Sequence, residues 1–151
     1  MTTRALFAAV CALALAGCGG SDKPDAVPAG GKVTFRNTTP PVGALVVFHP
    51  ADPAVEKRIG GKPFAKVKDD GTFALTSYAE GDGAPEGEYG VTIDWRPPPK
   101  EAKDAKVSIS FTDGGTAGPP KLDPKYGNPQ QPFTKVTVKK GGPNQFTFDV
   151  D

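Results

Sequence analysis

The chain has 151 residues, of which 19 are glycine and 17 are proline, and its formal net charge at pH 7 is +1. This near-neutral charge argues against a nucleic-acid-binding protein, which needs a basic surface to contact phosphates. Glycine and proline are spread throughout, and no window carries apolar residues at helical spacing over three turns, so long helices are not expected. Short alternating runs between turn residues predict an all-β protein instead.

The N-terminal residues carry a targeting pattern. Arg4 precedes residues 5–15, an uncharged apolar run that is too short to span a bilayer as a mature helix. The run closes with Leu15, Ala16, Gly17 and Cys18. This tetrapeptide resembles the processing box of bacterial lipoproteins. The resemblance implies that residues 1–17 are a signal peptide and that Cys18 becomes the first mature residue, with diacylglycerol on its sulfur.

The alternative is ordinary secretion after cleavage at a small-residue site supplied by Ala14 and Ala16, with Cys18 left as a free thiol. We favour lipidation, because Cys11 leaves with the signal peptide and a lone mature cysteine has no partner for an intramolecular disulfide. Two or three acyl chains would hold the protein stably, since each buried methylene contributes about 0.8 kcal/mol. The lipoprotein resemblance, with Gly19 rather than aspartate after the cysteine, implies anchoring to the cell envelope at the outer membrane, on its periplasmic or surface face.

The rest of the chain divides into a tether and one domain. Residues 19–30 are mostly small, polar or proline with little to bury, which predicts a flexible tether. Together with the lipidated Cys18 that the lipoprotein resemblance implies, this tether makes up residues 18–30. Loss of residues 1–17 removes Arg4 and leaves a mature chain of zero formal charge. The remaining residues 31–151 suffice for one core. We predict a single antiparallel β-sandwich of about seven strands there.

The first strands are predicted from apolar alternation. Residues 32–36 alternate apolar and polar side chains, which indicates a strand with one solvated face. Residues 43–49 are apolar on both faces, as in a central strand, and Pro50 ends that strand because proline cannot donate to a ladder. Residues 50–62 are predicted to form a loop.

The strongest hairpin signal lies at residues 69–71, because an Asp-Gly pair accepts the positive φ of tight β-turns. It predicts that residues 66–69 pair with residues 72–78, with Phe73 and Leu75 pointing inward.

A glycine-rich loop at residues 79–87 precedes the cleanest period-two stretch, residues 88–95. The residues expected on its inner face are Tyr89, Val91, Ile93 and Trp95. Residues 96–132 are predicted to be a loop-rich, partly ordered insertion, in which residues 106–111 are a further candidate strand.

The C-terminal residues predict a terminal hairpin. Residues 133–139 and residues 145–150 alternate apolar and polar side chains around a glycine-rich turn. The inward residues are expected to be Val136, Val138, Phe146 and Phe148. This hairpin would tie the C-terminus into the sheet.

Four of these segments, in this order, resemble the carboxypeptidase regulatory-like domains of small bacterial lipoproteins. The segments are GKVTF at 31–35, VVFHP at 46–50, DDGTFALTSY at 69–78 and GEYGVTIDW at 87–95. Residues 125–129 and the final hairpin also match the C-terminal pattern of those lipoproteins. The resemblance implies a seven-stranded transthyretin-like sandwich, related in architecture to immunoglobulin-like domains. Its motifs define turns and core faces and therefore imply a fold rather than an activity.

The sequence lacks the residues that the related enzymes use for catalysis, so an enzymatic role would need an acid-base pair among the carboxylates. A zinc carboxypeptidase needs several metal ligands, and His49 is the chain's single histidine, so peptidase activity is excluded. The transthyretin-like hydrolase of purine breakdown uses several histidines and a C-terminal Tyr-Arg-Gly-Ser, which this chain lacks. Ser77 and Ser108 have no histidine-acid relay. We predict no enzyme activity, cofactor or metal, and we expect His49 to pack at its strand end or to hydrogen-bond to the backbone there.

Two weaker binding signals stay open. Four acidic residues crowd the glycine-rich loop: Glu80, Asp82, Glu86 and Glu88. Calcium accepts such oxygen ligands, but the spacing differs from the known calcium loop, so a solvated turn is the preferred interpretation. Trp95, Tyr78 and Tyr126 would offer stacking faces if exposed, although the register of Trp95 favours packing at the edge of the core.

The sequence therefore predicts a lipid-anchored β-sandwich of the cell envelope with a non-catalytic structural or protein-interaction role, attached to the membrane through lipid on Cys18. Edge strands give a protein partner a route by β-augmentation. The alternative is an accessory carbohydrate- or polymer-binding module that uses exposed aromatic residues, with Trp95 as the one to test, and the loop at residues 79–87. The residues do not identify the partner, whether protein or polysaccharide.

Overall fold

The computed structural model describes residues 23–96 and 118–151. Its strands and helices are β1 (Ala26–Val27), β2 (Gly30–Phe35), β3 (Leu45–Pro50), α1 (Pro53–Ile59), β4 (Phe64–Lys66), β5 (Thr72–Ala74), β6 (Ala84–Pro85), β7 (Gly87–Asp94), a 3-10 helix (Pro124–Gly127), β8 (Thr134–Val138) and β9 (Gln145–Val150). The predicted all-β class is confirmed. The predicted signal peptide, with Leu15, Ala16, Gly17 and Cys18, and the candidate strand at residues 106–111 lie outside the described residues.

Two sheets form the sandwich. One has the order β5-β2-β9 and the other the order β4-β3-β7-β8, which together give seven strands within the described residues. The short strands β1 and β6 form a separate antiparallel pair. One pairing departs from the predicted antiparallel arrangement, because β2 and β9 run parallel from Gly30↔Gln145 to Phe35↔Val150.

The core lies between the two sheets and is rich in aromatic rings. Phe48 is fully buried at its centre. Its ring lies 5.6–6.5 Å from the ring centroids of Phe73, Tyr89, Phe146 and Phe148. The predicted inward positions are confirmed for Phe73 and Leu75, which are buried. Period-two alternation therefore predicted the core faces correctly.

Of the two predicted hairpins, the first forms in part and the terminal one is wrong in its pairing. The first turn forms, with the Lys68 N–H donating to the Thr72 carbonyl at 2.8 Å and Gly71 at φ +83°. The segments beside it stay joined by an antiparallel bridge between Phe64 and Thr76, but the longer pairings are of β4 with β3 and of β5 with β2. In the same way, β8 pairs with β7 and β9 pairs with β2. When two consecutive strands belong to different sheets, their apolar faces pack against each other across the core. Two strands paired side by side in one sheet do not bury these faces against each other.

The segment between β3 and β4, predicted as a loop, contains the short helix α1. Asp52 caps its N-terminus, with its carboxylate accepting from the Ala54 N–H at 2.8 Å, and Pro53 occupies the first turn. Gly60 ends the helix in the left-handed conformation, at φ +80°. Ile59 is buried. The helix thus begins and ends at residues that favour those positions.

The predicted tether, residues 18–30, is shorter than expected. Within its described part, β1 pairs with β6, and Ala29 is buried. The Tyr78 hydroxyl donates to the Pro24 carbonyl at 2.8 Å. The folded domain therefore begins near residue 24 rather than at residue 31, and five residues separate Cys18 from Pro24.

The sandwich has two ends that matter for function. We call the end where Gly30 starts β2 the proximal end; there Asn144 donates from its amide to the Pro28 carbonyl at 3.2 Å. The opposite end, where Phe35 ends β2, is the distal end. Strand β7 begins at the proximal end and finishes at the distal end, where the Trp95 ring lies 5.5 Å from the Phe35 ring.

Candidate functional site

His49 lies on the outer face of the four-stranded sheet. Its Nε2 is 2.8 Å from the Thr92 hydroxyl. Burial lowers the pKa of His49, and the Lys62 ammonium lowers it further, although Glu56 acts in the opposite direction. Lys62 and Glu56 form an ion pair at 2.7 Å. His49 thus lies hydrogen-bonded at a strand end, but its partner is the Thr92 side chain and not the backbone group that was expected as the alternative to packing.

Because the folded state lowers the pKa of His49 below its unfolded value of about 6.5, the unfolded chain binds the proton more tightly. The contribution of neutral His49 to stability is present above that value and is lost as the pH falls toward the folded pKa. We therefore expect the free energy of unfolding to fall between about pH 7.5 and pH 5.5, and His49→Gln to remove that dependence. Urea unfolding at both pH values measures it. An equal fall in wild type and variant would contradict the assignment.

The acidic loop is held together from within. The Asp82 carboxylate accepts from the backbone N–H groups of Ser77 at 2.7 Å, Tyr78 at 3.0 Å and Ala79 at 3.0 Å. The Ser77 hydroxyl donates to the Gly83 carbonyl at 2.8 Å. Within the described residues, no group of three or more histidine, cysteine, aspartate or glutamate side chains is placed to hold a metal ion. Asp82 therefore closes a turn, which agrees with the preferred interpretation of this loop.

A cleft of about 310 Å³ lies between α1 and β7. Of the polar groups that line it, Asp52 caps the helix and the Tyr89 hydroxyl donates to the Pro85 carbonyl at 2.7 Å. Burial raises the pKa of Tyr89 to about 12, so this phenol stays protonated at neutral pH. Asp52 and Tyr89 thus have partners within the fold, and the exposed side chain of Glu88 also lines the cleft.

The three candidate aromatic residues do not form one surface. Tyr126 is buried against Phe133, with ring centroids 5.2 Å apart, and its hydroxyl donates to the Asp151 carboxylate. Tyr78 lies at the proximal end and Trp95 at the distal end. A strand as long as β7 spans about 25 Å. Trp95 and the loop at residues 79–87 therefore do not line a common site, whereas the exposed Tyr78 adjoins that loop through its backbone N–H, which donates to Asp82.

At the distal end, residues far apart in the chain meet. The rings of Phe35 and Trp95 pack edge to face, and a cationic side chain lies over each of them. The Arg36 guanidinium lies 5.0 Å from the Phe35 centroid, and the Lys121 ammonium lies 4.5 Å from the Trp95 centroid. The Val42 carbonyl accepts from the Trp95 indole N–H at 3.1 Å, and Val42 is 43% exposed. We call these five residues the distal patch.

A strained turn supports this patch. Arg36 and Asn37 have φ values of +52° and +56°, and they are the non-glycine residues with positive φ in the described chain. Two such residues in succession are typical of a type I′ turn. The Asp149 carboxylate holds the turn by accepting from the Asn37 N–H at 2.7 Å. A residue kept in this conformation costs about 1 kcal/mol or more, so the surrounding structure imposes it.

Comparison with known proteins gave no match: no protein-family model, no curated protein and no solved structure is similar to the chain. Among the helices that the structure describes, none is long and apolar enough to cross a membrane. The likeness to carboxypeptidase regulatory-like domains thus stays a prediction from the sequence.

Proposed function

We propose that this protein is a lipid-anchored, non-catalytic module of the cell envelope that displays its β-sandwich to a protein partner. The observation that carries the proposal is the tetrapeptide ending at Cys18, placed shortly before the chain joins the fold. Lipid on Cys18 supplies the membrane attachment, and the outer membrane is the proposed location.

The short tether would orient the domain. Only residues 19–23 separate Cys18 from Pro24, whose carbonyl is bound by Tyr78. A flexible chain of this length has an r.m.s. span of about 13 Å. The proximal end would therefore lie near the lipid headgroups. A six-residue strand such as β2 spans about 20 Å, so the distal end would face away from the membrane.

The contacts of the candidate chemical groups favour a non-catalytic role. His49 is hydrogen-bonded to Thr92, and Asp82 caps three backbone N–H groups. Tyr126 is bound to Asp151, which also pairs with Lys125 at 3.0 Å. Each group has a structural partner. An accessory carbohydrate-binding role remains the alternative: Trp95 lies at the other end of β7 from the loop at residues 79–87, but the exposed Tyr78 adjoins that loop.

The anchor is tested by metabolic labelling with a clickable fatty acid in the bacterial host. Wild type should incorporate the label, and Cys18→Ser should fall to background because the acceptor sulfur is lost. Cys11→Ser is the matched control, since it removes the other cysteine and should keep the label. Undiminished labelling of Cys18→Ser, or loss of label in Cys11→Ser alone, would contradict the proposal.

A further inference from the structure

We propose that the distal patch binds an acidic segment of a protein partner. This inference rests on the proposed function, because it assumes that the distal end of the domain faces away from the membrane. It adds the binding surface and the chemistry of the partner, which the anchor leaves undefined.

The first observation is the state of the two cations. Lys62, Arg96, Lys125 and Lys140 each pair with a carboxylate. Arg36 and Lys121 form no ion pair within residues 23–96 and 118–151, and both are exposed. Other exposed cations of these ranges, such as Lys32 and Lys66, also form no ion pair, but Arg36 and Lys121 differ from them because they lie over aromatic rings. Their charges are therefore left for an external anion, and the planar Arg36 guanidinium fits a carboxylate with two parallel hydrogen bonds.

The second observation is the apolar surface between the cations. In the described part of the chain, Val42 and Tyr78 are the large hydrophobic residues that are exposed, and Val42 belongs to the patch. Half-buried Phe35 and Trp95 continue this surface. An apolar strip with a cation at each side suits a segment that carries an apolar side chain among its carboxylates.

The third observation is the backbone of Arg36. Its left-handed conformation suits glycine far better than arginine, and the turn is closed by the Thr38 N–H donating to the Phe35 carbonyl at 3.1 Å. Strained non-glycine residues cluster at active sites, ligand clamps and switch regions. The backbone conformation of Arg36 is thus consistent with a binding role for this turn, and it is a separate observation from the charge of the side chain.

The surroundings of Trp95 favour a peptide over a sugar. A sugar ring stacks on an open aromatic face, but Lys121 lies over the Trp95 ring and Phe35 packs against it. The indole N–H is already donated to Val42. The patch therefore presents charge and aliphatic surface rather than a stacking platform.

Trp95 is the chain's single tryptophan, so its fluorescence reports on the patch directly. We would titrate the purified full-length protein with a hexaglutamate peptide and with a hexaserine peptide. A saturable fluorescence change is expected with hexaglutamate alone, and added salt should weaken it because the cations are exposed. The double variant Arg36→Gln, Lys121→Gln should bind about tenfold more weakly or worse. Lys140→Gln, at the proximal end, is the control and should bind like wild type.

A second variant separates binding from folding. Arg36→Gly should raise the urea midpoint of unfolding, because glycine relieves the strained φ, and should still weaken peptide binding. The proposal would be overturned by no saturable change with hexaglutamate, by unchanged affinity in the double variant, or by tighter binding of polygalacturonate, which would assign the patch to a polysaccharide. Labelling of Cys18 is measured independently, so failure of the patch and failure of the anchor are distinguishable.

Discussion

Replacing Phe48 with alanine should destabilise the domain by about 4 kcal/mol, as expected for removing a fully buried ring. The Phe48 side chain has no exposed surface, and aromatic rings from both sheets surround it. The cavity would lie where β3 faces β5 and β9, so the sheets would not close over it easily. Urea unfolding followed by circular dichroism measures the change in the free energy of unfolding.

Val42→Ala is the matched control, because it also truncates a hydrophobic side chain but at a site that is 43% exposed. It should change stability by about 0.5 kcal/mol or less. If Phe48→Ala cost as little as Val42→Ala, Phe48 would not lie at the centre of the core.

The second large effect is expected for Gly31→Ala. A Cβ at Gly31 would lie 1.8 Å from the Phe146 carbonyl oxygen, and both atoms belong to backbones that pair in register. The strands β2 and β9 would have to separate, because a backbone carbonyl cannot rotate aside as a flexible side chain does. We expect a loss of about 3 kcal/mol, at the upper end of overpacking effects. Thermal or urea unfolding of the purified variant measures it.

Gly61→Ala controls for the general effect of replacing a glycine, since a Cβ there meets nothing within 4 Å. It should leave the free energy of unfolding within about 0.5 kcal/mol of wild type. A Gly31→Ala variant as stable as Gly61→Ala would contradict the parallel pairing of β2 with β9, and with it the arrangement of the three-stranded sheet.

The strands and their inner faces could be predicted because period-two alternation is a local signal. Tyr89, Val91 and Ile93 follow each other at alternate positions, and all three are buried. Sheet membership could not be predicted in the same way. The turn at Gly71 forms as its sequence indicates, but whether the next strand returns to the same sheet depends on which distant strand it packs against.

Three further features of the structure were not predicted from the sequence: the helix α1, the strand β1 and the distal patch. Helix α1 is too short for a periodic pattern, yet Asp52, Pro53 and Gly60 are the end signals that would have revealed it. Strand β1 has two residues, which is too few to alternate. The distal patch joins residues from four separate parts of the chain, so only the tertiary structure brings them together. Phe35 and Arg36, at the turn after β2, are the part of the patch that lies within one short stretch of sequence.

The two ends of the domain have different proposed roles, attachment at the proximal end and binding at the distal end. At the proximal end, Pro24 and Ala29 are already bound into the fold, which leaves a short link to Cys18. At the distal end, Arg36 and Lys121 carry charges that no carboxylate of the described residues pairs. If Cys18 carries the proposed lipid, the module is held at the proximal end and exposed at the distal end, which is the arrangement that the proposed binding role requires.

The proposed anchor is tested most directly by the mass of the N-terminal peptide of the protein purified from the membrane fraction. Lipidation of Cys18 predicts a peptide that begins at Cys18, lacks Leu15, Ala16 and Gly17, and carries the mass of diacylglycerol on its cysteine. A mature N-terminus at any other residue, or an unmodified Cys18, would contradict it.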